Sequence, residues 1–494
     1  MMDSRERVFY LFLTAWAVFR LWVLPIRSSF WLDETGTYWI IKDGLANAFV
    51  RAMHWSGQSP LYYVIAWFAH LAPGRTEVML RLPSLIAMIA AAWLLYKLAV
   101  RLFDAETGRF VVLVFACSEQ VAFAAADARP YALALLLLIA SAWMLVRWLD
   151  SGRPLCAAGF IVLASLTLYA HVLVALALAG HAIYALYRSR GKSSVRFAAV
   201  LAVFIGVGLF LLPLAPQLLG VYRTRASHAF AGAPNVSEFV AAMAPPLLAA
   251  PLGLGLLTGW LVSARGSFEC DNSFLARRES VILAASWALL PLATLYLFSV
   301  FSRSDLFLPR YYVSAAPGLA LLFGWGIRAA GKIPARPLAA AALVVCASLS
   351  FGSPQHGGAD WAGAMAKVRA LSAAGDTPVL MASGFLEATD PDMLTTPGLR
   401  DVLLAPLALY PAGGQPIGLP IRLDDKSVPY LERIVETDLQ HRGRFVLVCE
   451  WQQKITYELW LRGRLASLGF RSESQGNFGD VGVFLFSRDT RTGQ

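Results

Sequence analysis

Two adjacent carboxylates, Asp33 and Glu34, follow Trp31 and Leu32 just past the first long apolar run of the chain. Carboxylates at such a boundary suit two tasks, singly or together: taking a proton from a hydroxyl and holding a divalent cation. The same residues also describe a plain membrane interface, with tryptophan among the headgroups and acids facing water. Residue type alone leaves both readings open. Further groups of this kind stand at the ends of other apolar runs. Residues 54–63 (HWSGQSPLYY) combine His54 and Gln58 with Tyr62 and Tyr63, either as a turn before an interfacial helix or as a substrate-lining segment. Asp127 and Arg129, in the phrase Asp-Ala-Arg-Pro-Tyr, either neutralise each other or leave the arginine to grip a lipid phosphate with two N–H groups. His171 closes the phrase Tyr-Ala-His, and a lone histidine there is more often structural than a ligand. Arg310, followed by Tyr311 and Tyr312, either snorkels to headgroups or holds an anion. Glu119 lies within an apolar stretch, where an acid is a functional candidate by default unless a helix break exposes it to water.

The elements that must position these groups are apolar helices. Of 494 residues, 57% are hydrophobic and 15% charged, against roughly 25% charged in soluble domains. Runs long enough to cross a bilayer, about 20 residues each, account for the difference. They fall at roughly 8–26, 81–103, 110–127, 131–149, 155–170, 172–187, 197–219, 245–263, 281–301, 311–328 and 337–353, about eleven spans. The net charge of +10 does not indicate nucleic acid, because the basic residues gather in short clusters between these runs. The clusters are Arg101 with Arg109; Arg147 with Arg153; Arg188 with Arg190, Lys192 and Arg196; Arg265 with Arg277 and Arg278; and Arg328 with Lys332 and Arg336. A cytoplasmic N-terminus puts every one of them in the cytoplasm, as orientation by positive charge requires. Arg5 and Arg7 precede the first run and no small-x-small cleavage site follows it, so it reads as an uncleaved helix. Residues 60–72 are apolar but too short to cross, and counting them as a span would move every later basic cluster outside. They are expected to lie along the outer face, within a long first outer loop over 27–80. Long ordered loops tend to be functional.

Residues 1–353 thus read as a membrane domain and 354–494 as a soluble one. Strand-like runs at 378–381, 444–449 and 481–486 alternate with helix-like runs at 360–373, 429–441 and 456–466, the pattern of a small α/β domain. An odd number of spans places it outside the cytoplasm. The five cysteines show no CxxC spacing. Cys117, Cys156 and Cys346 lie in apolar runs, Cys270 in a loop and Cys449 in the soluble domain, so sulfur-based metal or redox chemistry is not expected. There is no GxxxxGK[ST], HExxH or GxSxG motif. Energy for a reaction is therefore expected from an activated donor carried in the membrane.

The phrases above, in their order and on their expected side, resemble the GT-C class of membrane glycosyltransferases, notably bacterial members akin to protein O-mannosyltransferases and the lipid A aminoarabinose transferase. WLDE ending at Glu34 resembles the Asp-Glu motif of that class. SPLYY ending at Tyr63 resembles its Pro-Pro-Leu-Tyr-Tyr stretch, with Ser59 in place of the first proline. RLPS from Arg81 to Ser84, ARPYAL from Ala128 to Leu133, the Tyr-Ala-His phrase at His171 and RYY from Arg310 to Tyr312 also match. The resemblance implies an α-helical polytopic membrane protein, GT-C-like with about eleven transmembrane helices, and a C-terminal extracytoplasmic α/β domain, in a bacterial inner membrane. It implies an inverting transfer of a hexose or pentose from a polyprenyl-phosphate donor to the hydroxyl of a lipid, glycan or protein acceptor. By resemblance, Asp33 is the general base and Glu34 positions it or the acceptor. Arg129, Arg310 and Tyr311 bind the donor phosphate and lipid, and His54, Gln58, Tyr62 and Tyr63 contact substrate. Asp127, standing where relatives often carry glutamate, and His171 would hold a divalent metal (Mg or Mn), as some members do and others do not. The competing reading is a transporter, a lipid-linked glycan flippase or a ligase. A transporter is expected to show repeated halves with midplane polar sites, and a ligase a long outer loop late in the chain; neither pattern is present. A non-catalytic scaffold would make the Asp33 cluster incidental.

Overall fold

The structure is a computed structural model. It describes residues 4–54, 60–191, 193–223, 233–262, 278–302, 306–329, 335–350, 355–372, 376–450 and 453–488. Gln58, Ser59, Lys192, Arg265, Cys270, Arg277 and Lys332, named above, lie outside these described residues. The chain divides into two compact units, one of Met1–Ile26 with Phe49–Pro354, the other of Arg27–Ala48 with Gln355–Gln494.

The first unit is helical. Among the described residues, six helices are long and apolar enough to cross a membrane: Ser4–Arg27, Thr76–Leu102, Tyr131–Ser151, Val172–Ser189, Phe197–Gln217 and Arg278–Ser302. Two bent pairs qualify jointly: Ala105–Cys117 with Glu119–Ala125, at 71°, and Val236–Met243 with Pro246–Thr258, at 57°. Prolines explain the second bend, since Pro245 and Pro246 lack the N–H that a continuous helix needs. At the first, Ser118 is extended and turns its hydroxyl to the Gln120 side chain at 3.0 Å. The shorter apolar helices Pro154–Ala170, Val313–Arg328 and Ala335–Ser350 fall on further segments that the sequence marks as spans. Small residues let these helices approach, as in membrane proteins generally. A Cβ at Gly324 would come within 2.6 Å of Val111, and one at Gly318 within 2.5 Å of the Ala288 backbone. Several arginines of the basic clusters pair at helix ends: Arg101 and Arg188 both reach Asp150, at 2.7 and 2.8 Å, and Arg328 meets Glu106 at 3.1 Å. Residues 60–72 form one short helix, Pro60–His70, of 11 residues.

The second unit is built on a five-stranded sheet of order β2-β1-β3-β5-β4. Its strands are β1 (Pro378–Ala382), β2 (Gln415–Leu419), β3 (Arg444–Glu450), β4 (Phe470–Phe478) and β5 (Val481–Arg488). β1 lies parallel to β2 and β3; β5 runs antiparallel to β3 and β4. The central strand β3 is apolar on both faces, as a covered parallel strand must be. Phe445, Leu447 and Cys449 join a core with Tyr457, Leu461 and Leu465 of the helix Gln453–Leu465, and the helix Trp361–Leu371 also packs on the sheet. The segment 27–48 is fastened here by hydrogen bonds: Phe30 N–H to the Tyr410 hydroxyl at 3.1 Å, His356 N–H to Ser28 Oγ at 3.0 Å and Ala362 N–H to Ser29 Oγ at 2.9 Å. Its helix Leu32–Ile41 packs against the short helix Ala405–Leu409.

Candidate active site

Asp33 and Glu34 occupy the first turn of the helix Leu32–Ile41, where unbonded N–H groups favour negative charge. They differ in surroundings. Glu34 is fully buried, and its Oε2 accepts the backbone N–H of Trp31 at 3.2 Å, which fixes the start of the helix. Asp33 is half-buried, one residue earlier. Trp31 is extended and packs on a tight turn at Gly357, whose φ is +69°. A Cβ at Gly357 would overlap Trp31 Cβ and Cγ. Gly357→Ala therefore meets both the left-handed backbone and the ring, and is expected to destabilise this unit by about 2–4 kcal/mol. A drop in the apparent melting temperature with loss of activity would show it; an unchanged melt would mean the ring has room to move.

His356, one residue before that glycine, is buried and stands edge-on to the Trp31 indole, ring centroids 6.5 Å apart. One of its ring nitrogens lies within 4.8 Å of a Glu34 carboxylate oxygen. Imidazole nitrogen and carboxylate oxygen are donors that a divalent cation accepts, so the residues fit such an ion. His356 was not among the sequence candidates; the only signal was its position before the Gly357 and Gly358 turn.

The start of the Leu32–Ile41 helix meets the carboxyl ends of the parallel strands, the edge where open α/β sheets place ligands. Past the end of β1, a Cβ at Gly384 would come within 2.5 Å of Leu32 Cδ2 and 3.0 Å of Glu450 Oε2. Glu450 ends β3 and is 2% exposed. Burial pushes its carboxyl up to about 8; the Trp361 indole opposes the rise, Asp480 and Asp33 add to it, and Lys454 opposes it. Because the folded form holds this proton above the usual carboxylate range, the unit loses stability as pH rises from about 4.5 to about 8. Glu450→Gln is expected to flatten that decline. Apparent melting temperatures of both proteins between pH 5 and 9 test it, and parallel curves would contradict it.

In the first unit, three sequence phrases close on one another. The Arg129 guanidinium donates to the Tyr63 hydroxyl at 3.2 Å, and its backbone carbonyl accepts from Ser84 Oγ at 3.3 Å. The Tyr62 hydroxyl lies 3.4 Å from Ser84 Oγ and from the Leu80 carbonyl. Tyr62 and Tyr63 are fully buried, so the Tyr63 hydroxyl holds Arg129 from within and the Tyr62 hydroxyl holds Ser84. Arg81, also fully buried, donates to the carbonyls of Pro25 and Ile26, each at 3.2 Å. His171, in the break after the helix Pro154–Ala170, packs its ring on Tyr131 at 4.9 Å. Burial and the charges of Arg129 and Arg310 hold its imidazole down at about 3, so it is neutral at physiological pH. Arg310 lies over the Tyr311 ring at 5.3 Å. Asp127 is fully buried. Among the described residues, His171 belongs to no set of three or more metal-donor side chains close enough to share an ion. His54 is exposed in the last turn of the helix Leu45–His54, its Nδ1 2.8 Å from the Val50 carbonyl.

The whole chain can be compared with solved structures. It is similar to ArnT from Cupriavidus metallidurans in the apo state, with a TM-score of 0.58, 15% identity and 98% of each chain covered. The crystal structure of ArnT bound to undecaprenyl phosphate gives 0.57, 15% and 98% of each chain. The apo oligosaccharyltransferase of Archaeoglobus fulgidus gives 0.51 and 12%, covering 98% of this chain and 74% of that one. The protein is a multi-pass membrane protein with the fold of the GT-C class of membrane glycosyltransferases. Residues 58–218 match the family model described as dolichyl-phosphate-mannose-protein mannosyltransferase. No curated protein matches the chain at a significant level.

Proposed function

We propose that this protein is an inverting glycosyltransferase that moves a sugar from a polyprenyl-phosphate donor to an acceptor hydroxyl at the outer face of a bacterial inner membrane. The observation that carries this reading is the setting of Arg129 and Arg310. Both charges act on a neutral His171, and Tyr63 fixes one of them. Two guanidinium charges acting at one histidine suit a lipid phosphate, a diester in the donor and a monoester once the sugar leaves, and the undecaprenyl phosphate of the ArnT complex supports that ligand class. The chemistry then divides by charge. Asp33 takes the proton of the acceptor hydroxyl, whose oxygen bonds to the anomeric carbon from the side opposite the phosphate. The bond from that carbon to the phosphate oxygen breaks, and its electron pair leaves with the polyprenyl phosphate. Arg129 and Arg310 stabilise the growing negative charge. Attack from the opposite side inverts the anomeric centre.

Glu34 and His356 would supply donors to a divalent cation, Mg or Mn, and Asp127 keeps the ligand role that the resemblance implies. Such an ion would add positive charge for a phosphate. At His171 the positive charges of Arg129 and Arg310 suit a phosphate better than a further cation. In this reading the N-terminus is cytoplasmic and residues 355–494 are periplasmic. The test is consumption of labelled undecaprenyl-phosphate sugars, hexoses and pentoses, by the purified protein in nanodiscs. Release of undecaprenyl phosphate from one of them is expected. A protein that neither binds nor consumes any member of the panel is not a transferase of this kind.

A further inference from the structure

A second carboxyl lies near the start of the helix that carries Asp33 and has no part in the chemistry above. Glu450 comes from the end of β3, more than 400 residues along the chain, and is 2% exposed. Its Oε2 has no hydrogen-bond partner among the described residues, nor has the Trp361 indole Nε1, which faces the carboxyl without completing a hydrogen bond. The same oxygen lies at Gly384, against which Leu32 also packs. Leu32 opens the helix that carries Asp33 at its second position. Glu450 and Leu32, the residue before the base, thus share one small piece of packing at the carboxyl edge of the sheet. The charged side chains acting on Glu450 are Asp480 before β5, Asp33 on the Leu32–Ile41 helix and Lys454 on the Gln453–Leu465 helix.

We propose that Glu450 is a positioning residue for Asp33, a buried uncharged carboxyl that seats the start of the Leu32–Ile41 helix and limits transfer on the alkaline side. This rests on the reading of Asp33 as the base. With its proton, Glu450 fills the space beside Gly384 without repelling its acidic neighbours. Losing the proton leaves a buried charge within the field of Asp480 and Asp33, which Lys454 opposes. A buried charge in that state draws in water or moves, and Leu32 is the neighbour that must give way. Asp33 then leaves its place while remaining ionised, so activity falls without any change in the base itself. The carboxyl of Glu450, pushed up to about 8, sets where this begins.

The experiment is the pH profile of donor consumption by the full-length protein in nanodiscs, with wild type, Glu450→Gln and Asp480→Asn each scaled to its own maximum. Wild type is expected to be about tenfold slower at pH 9 than at pH 7, as one ionisation near pH 8 requires. Glu450→Gln, which cannot ionise, is expected to stay within about twofold over that range. Asp480→Asn removes a charge that raises the Glu450 carboxyl, so its midpoint is expected to move down. Transfer by the wild type with three superimposable profiles overturns the positioning role and leaves the transferase reading standing. A wild type that consumes no donor at any pH overturns both.

Discussion

Asp33→Asn is expected to lower donor consumption by about 10³-fold, within the range that positioned general bases contribute, while the protein keeps its fold. A sugar or lipid hydroxyl is a weak nucleophile at neutral pH, so loss of its proton must accompany attack. Asparagine has the shape of aspartate and cannot take that proton. The structure also explains why the substitution is mild for folding. The carboxylate that fixes the helix start is Glu34, through the Trp31 N–H at 3.2 Å; Asp33, one residue earlier, is half-buried. The two neighbours are therefore expected to separate experimentally. Asp33→Asn should leave the apparent melting temperature within a few degrees of wild type and remove turnover at saturating donor and acceptor. Glu34→Ala should lower both, because it opens a cavity and frees the Trp31 N–H. Residual turnover above a few per cent in Asp33→Asn, with normal folding, would end the assignment of Asp33 as base.

The membrane part of this protein was legible because each apolar run declares itself by length, without reference to any other part of the chain. The breaks within runs were less so. Residues 110–127 read as one span, yet the helix turns by 71° at Ser118, where no proline or glycine marks it. In the sheet, β1, β3 and β5 were visible as apolar runs. β2 and β4 were not, because they are its two edges. An edge strand tolerates Pro416 and Gly418 in β2, and the polar, bulged course of β4 past Ser474 and Gly476. The site divides in the same way. Asp33, Glu34, Arg129 and Arg310 stood out by charge type at the ends of apolar runs. His356 and Glu450 could not, since their significance lies in the side chains they meet. No change of composition near residue 48 announces that 27–48 packs with 355–494, so nothing in the sequence connects Asp33 with the end of a strand more than 400 residues later.

Arg129→Ala and Arg310→Ala are each expected to weaken binding of undecaprenyl phosphate by about 10- to 100-fold, since hydrogen bonds to charged groups contribute about 1.5–3 kcal/mol. The two arginines reach this role differently. Arg129 is held by the buried Tyr63 hydroxyl at 3.2 Å, so its geometry is set before any ligand arrives. Tyr63→Phe removes that tether and keeps the charge, and a smaller loss, about 3- to 10-fold, is expected. Arg310 lies over the Tyr311 ring at 5.3 Å, a cation–π contact that orients the guanidinium plane. Arg310→Lys keeps the charge but not the planar fork, and should fall between wild type and alanine. The decisive comparison is between substrates. A residue that grips the donor phosphate affects the donor constant and leaves the acceptor KM nearly unchanged, whereas one that only braces the helix ends weakens both alike. Equal losses for donor and acceptor in Arg310→Ala would make Arg310 structural and leave Arg129 as the phosphate ligand.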